Sequence, residues 1–73
     1  MATTSINSGA IKIVELVGIS KKSFDDAAAQ AVKKASESIK GITGVEIISQ
    51  SAKVSNGKIT QYRANVKLAF AVK

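Results

Sequence analysis

Seventy-three residues are enough for one domain, and a domain so small buries only about 60% of the surface its unfolded chain exposes. The chain holds no Cys and no His, which excludes disulfides, thiol nucleophiles, the commonest zinc ligands and the usual acid–base catalyst of neutral pH. Its formal charge is +6, from 11 Lys and Arg against five carboxylates, but the basic residues are scattered and point to neither a nucleic-acid nor a membrane partner.

Residues 1–9 are small and polar, with neither the basic start nor the apolar core of a signal peptide. They read as a disordered tail ahead of a single domain over 10–73, in a protein expected to be cytoplasmic and not an enzyme. No apolar stretch is long enough to span a membrane.

From Ala10 to Gly18, AIKIVELVG is rich in β-branched residues and reads as a strand. Ile11, Ile13, Glu15 and Val17 share one face, and Lys12, Val14 and Leu16 the other. Both faces are largely apolar, so both need covering. One helix covers one face of a sheet, and the second face calls for another subunit.

Gly18 to Lys22 is expected to turn the chain into a helix. Ser23 is a good N-cap with Asp26 three residues on, an Asp variant of the capping box. Phe24, Ala28, Ala31, Val32, Ala35 and Ile39 recur at helical spacing, and Gly41 is placed as the C′ glycine that ends the helix. An apolar stripe built mainly of alanine buries little area, so the core is thin.

A second strand is expected over Gly44 to Val54. Asn56-Gly57 then marks a hairpin. In the third strand Tyr62, Ala64, Val66, Leu68, Phe70 and Val72 alternate with Gln61, Arg63, Asn65, Lys67, Ala69 and Ala71, and the first set is expected to face the helix. A right-handed crossover followed by a hairpin lets the third strand lie between the other two. The fold class is α+β: a β-α-β-β subunit with a three-stranded antiparallel sheet wrapped around one helix.

Gln61, Arg63, Asn65 and Lys67 form a polar row away from the helix. The row is either a solvated sheet face or a surface for an anionic or planar ligand or a second subunit. Glu15 and Glu46 are either surface or inter-subunit charges or, gathered about a symmetry axis, a hard-cation site. The three aromatic residues, Phe24, Tyr62 and Phe70, cannot build a stacking platform for single-stranded nucleic acid.

The element order, the run IVELVGISKKSFDDAAAQAVKKAS, the VEI at Val45 to Ile47 and the closing YRANVKLAF together resemble the dodecins, over Ile11 to Val72. The resemblance implies a sheet that wraps its helix and twelve subunits closing into a hollow shell with cubic-type symmetry. It also implies storage of flavins or their breakdown products and quenching of their photochemistry. In flavin-binding dodecins a Trp stands just before the apolar-Glu step of the second strand; here that position is Gly44, ahead of Val45 and Glu46. A Gln of the third strand normally bonds the flavin edge; here the matching position is Arg63, which cannot accept a hydrogen bond. The resemblance (Gly44, Val45, Glu46 and Arg63) and the polar row of the third strand (Gln61, Arg63 and Asn65) together make the expected ligand-binding set, with no metal ligand assigned. The expected protein is a homododecameric store for a small anionic or flavin-like ligand, with FMN bound weakly or not at all. The alternatives are a modified site that still sequesters FMN, riboflavin or lumichrome, a calcium-binding assembly as proposed for a flavin-free branch, and a purely structural shell.

Overall fold

The structure, a computed structural model, describes residues 9–72. The expected tail therefore lies, apart from Gly9, outside the described residues. Strand β1 (Ala10–Ser20) is followed by helix α1 (Phe24–Ser36), then strands β2 (Ile42–Ser55) and β3 (Lys58–Val72). The sheet order is β1-β3-β2 with both pairings antiparallel, as the topology argument expects. No helix among the described residues is long and apolar enough to cross a membrane.

Strand β1 continues through Gly18 to Ser20, two residues beyond the sequence reading. Gly18 is thus a strand residue and not the start of the turn. Its lack of a side chain serves a close approach by the helix. A β-carbon there would overlap the carbonyl oxygen of Ala27 and lie 2.9 Å from the Ala31 β-carbon.

The turn into α1 is held by Ser20, whose buried hydroxyl donates to Asp26 Oδ2 at 2.6 Å and accepts from the Lys22 amide at 2.8 Å. Ser23 caps the helix, its Oγ accepting from the Asp26 amide at 2.9 Å. The Asp26 carboxylate is engaged by Ser20, and Asp25 and Asp26 both sit at the positive end of the helix dipole.

At its other end α1 stops a turn earlier than expected. The amides of Glu37 and Ser38 donate to the carbonyls of Lys34 and Ala35, three residues back, and tighten the last turn. Ser36 and Ser38 flank this point, and serine favours such breaks because its hydroxyl competes for backbone groups. Gly41 therefore belongs to the entry into β2 and not to the helix cap. Asn56 and Gly57 have φ of 53° and 76°, the pair of left-handed residues that a type I′ hairpin turn requires.

The core is small. Ala27, Ala28, Ala31 and Ala35 of α1 pack on Ala64, Val66 and Leu68 of β3, with Val14, Leu16, Val32, Ile39, Ile42 and Tyr62 around them. Phe24 and Tyr62 close one end, edge to face at 4.9 Å between ring centres. The helix lies over β1 and β3 and barely reaches β2. Val45 and Ile47 on its side of β2 consequently stay about half exposed.

Candidate functional site

Direct cross-strand partners share a face of the sheet, so the register sorts every strand residue. On the side away from α1 it produces a ladder of rows, each with one residue from β1, β3 and β2. Ile13, Ala69 and Gly44 form one row; Glu15, Lys67 and Glu46 the next; then Val17, Asn65 and Ser49; then Ile19, Arg63 and Ser51. Gln61 follows with Lys53 alone, where the hairpin runs on beyond β1. Rows stand about 7 Å apart, two strand residues each.

This outer face is not uniformly polar. Ile11, Ile13, Val17 and Ile19 each keep between 52% and 55% of their surface exposed, in line along one edge. Patches of this kind mark interaction sites. The polar residues run beside them in an ordered pattern. Lys67 stands between Glu15 and Glu46, so two carboxylates and one ammonium leave a single negative charge in that row. About 13 Å along β3, Arg63 carries the opposite charge, and its Nε donates to Gln61 Oε1 at 2.9 Å. That exposed bond draws the guanidinium towards the amide oxygen of Gln61. Between the two charged rows sits Asn65, whose Oδ1 is covered and accepts no hydrogen bond.

Gly44, Glu46, Gln61, Arg63 and Asn65 of the expected ligand set therefore share the outer face. Val45 does not join them. It pairs with buried Leu68 and faces the helix side, because neighbouring strand residues point to opposite faces. That signal was present in the sequence, since three consecutive strand residues cannot all share one face. The row uniting Glu15, Lys67 and Glu46 was harder to foresee, because its members come from three strands joined only by register.

Among the described residues, no aromatic ring stands on the outer face. Phe24 belongs to α1, and Tyr62 and Phe70 occupy the helix side of β3. Gly44 is open: a β-carbon there would meet only the Ala69 β-carbon, at 3.7 Å. A concavity of about 510 Å³ lies elsewhere, on the helix side, lined by Ser38, Ile39, Lys40, Gly41, Phe70 and Ala71. Among the described residues, no three His, Cys, Asp or Glu side chains gather as a metal site would need.

Comparison with known proteins places these features. The family described as Dodecin matches residues 10–73. The chain is 36% identical over 63 residues to a Mycobacterium tuberculosis protein named calcium dodecin, covering 85% of this chain and 87% of that one. Among solved structures it is similar to the dodecin from Streptomyces coelicolor, with a TM-score of 0.89 and 22% identity over 93% of this chain and 97% of that one, a likeness of fold. It is also similar to the calcium-chelating immunodominant antigen, calcium dodecin, from Mycobacterium tuberculosis. There the TM-score is 0.78 and the identity 32%, over 89% of this chain and 93% of that one.

Proposed function

The chain belongs to the dodecin family, and on that premise we propose that it is a non-catalytic container, a hollow homododecamer that retains small ligands and binds flavin only weakly. The observation that carries the assembly is the row of half-exposed isoleucine and valine side chains on the outer face of β1. A thin alanine core cannot offset much uncovered apolar surface, and association removes it from water.

Weak flavin binding follows from what Gly44 and Arg63 lack. Stacked aromatic pairs contribute about 0.5–1.5 kcal/mol beyond area burial, and the outer face offers no ring. Arg63 presents donors only, with its Nε already committed to Gln61. The excess of cations, +6 per chain, favours an anionic cargo.

A calcium site would need ligands from more than one subunit. The ion takes six to eight oxygen ligands, whereas one subunit brings only Glu15 and Glu46 to this row, on the two strands flanking that of Lys67. We assign it no site within one chain.

Native mass spectrometry with light scattering on freshly purified protein tests the assembly. Twelve subunits are expected, and a stable monomer at micromolar concentration would overturn the proposal. The flavin reading is tested by fluorescence titration with FMN. Wild type should show little quenching at tens of micromolar, whereas Gly44→Trp should bind at least about tenfold more tightly, the factor that roughly 1.4 kcal/mol corresponds to. Strong quenching by wild type would contradict the weakened site.

A further inference from the structure

We infer that Asn56 is a self-modification site. Its side-chain amide is lost as ammonia when the Gly57 nitrogen closes a ring on it, and the hairpin turn holds that reaction back until the tip of β2 and β3 opens. The inference is independent of self-assembly and of any ligand.

Asn56 and Gly57 are both exposed at the tip of the hairpin, with φ of 53° and 76°. Gly57 has no β-carbon to shield its nitrogen, and nothing beyond its chain neighbours lies within 4 Å of where one would stand. The chemistry consumes only water. The Gly57 nitrogen gives up its proton and bonds to Asn56 Cγ; the Cγ–Nδ2 bond breaks, and Nδ2 leaves as ammonia with that proton. Water then opens the cyclic imide at one of its two carbonyls, leaving an aspartyl or an isoaspartyl residue.

The turn opposes the first step. Ring closure requires the Gly57 nitrogen to eclipse the Asn56 β-carbon about the Cα–C bond. A left-handed residue has ψ of about +47°, which sets that nitrogen nearly opposite the β-carbon. The type I′ turn that favours an Asn-Gly pair therefore also keeps the reacting atoms apart.

This lock is as firm as the tip and no firmer. β1 ends opposite Tyr62, so Lys53 to Ser55 and Lys58 to Gln61 form a ribbon of two strands, and two strands alone are marginally stable. The pairing is irregular there: Lys53↔Gln61 is followed by Val54↔Ile59 with Thr60 skipped. Val54 and Ile59 keep 61% and 51% of their surface exposed, so their contact adds little. The tip opens locally while the core stays folded.

The product changes the tip in two ways. No acidic residue lies between Ile47 and Val66, so either product sets a carboxylate among Lys53, Lys58 and Arg63. An aspartyl residue tolerates the left-handed backbone and keeps the turn. An isoaspartyl residue routes the main chain through its β-carbon and lengthens a loop whose length fixes the register.

Peptide mapping by mass spectrometry after incubation at mildly alkaline pH tests the inference, on the native protein, on the protein in urea and on a free peptide of residues 53–60. Asn56 of the native protein should convert at least about tenfold more slowly than in urea, because opening must precede attack. Ile59→Gly removes a paired side chain without touching Asn56 or Gly57. It should speed conversion in the native protein at least about threefold and leave the rate in urea unchanged. Equal rates in native protein and in urea would overturn the lock. An Ile59→Gly rate equal to wild type in the native state would overturn local opening of the tip. No conversion of Asn56 in urea or in the peptide would overturn the site itself.

Discussion

Gly18→Ala is expected to lower the melting temperature by roughly 15–20 °C, the largest effect of any single methyl group added to this chain. Overpacking usually costs about 1–3 kcal/mol, and here the added carbon overlaps the backbone carbonyl of Ala27 and crowds Ala31. Neither group is the end of a flexible side chain. To make room α1 must lift from β1, and the helix carries four of the seven core residues. A cost of about 3 kcal/mol corresponds to this shift, since 1 kcal/mol moves the midpoint of a domain this size by about 4–8 °C. Thermal unfolding followed by circular dichroism, at matched protein concentration, is the measurement. A drop below about 4 °C would show that the helix does not lie as close as the structure places it.

Leu68→Ala should be comparably damaging for the opposite reason. Leu68 is completely buried and is the largest fully buried side chain, flanked across the sheet by Val14 and Val45. Truncations of this kind cost about 2–5 kcal/mol, more where the surroundings cannot collapse into the cavity. The facing core residues on α1 are alanines, which have no length with which to fill it. Urea or thermal unfolding should show the variant at least about 2 kcal/mol less stable. A loss under about 1 kcal/mol would mean the helix settles into the space. Both substitutions disturb the packing of α1 on the sheet, so their combined effect should depart from additivity.

Much of the fold was legible from local signals. The alternation in β3 separated Ala64, Val66 and Leu68 from Gln61, Arg63, Asn65 and Lys67, and the structure buries the first group. Ser23 and the Asn56-Gly57 turn were equally readable, because a cap and a hairpin turn are decided within four residues. The helix end was not. Gly41 looked like a C′ glycine, but the bonding of Glu37 and Ser38 closed the helix sooner. Of the expected ligand set, five positions share one face and Val45 lies on the other, a separation that strict alternation already contained.

Gly18 shows the limit most clearly. Read locally, a glycine after a strand is a turn; in the fold it is the point where another element comes close. The polar rows pose the same problem at larger scale. Glu15, Glu46 and Lys67 follow one another 31 and 21 residues apart along the chain by their numbering, and strand register, with shifts at Ile42/Gly44, Ile47/Ser49 and Lys53/Val54, decides which residues meet. A slip of one residue would move a side chain to the other face.

The sequence by itself determined the order of elements, the helix start, the hairpin, the buried face of β3 and the absence of His and Cys chemistry, because composition and short-range periodicity carry that information. Only the tertiary structure decided why Gly18 is glycine, which side of the sheet Val45 takes and how the charges of the outer face line up. Those facts depend on the approach of distant segments and on strand register, and neither is encoded at any single place along the chain.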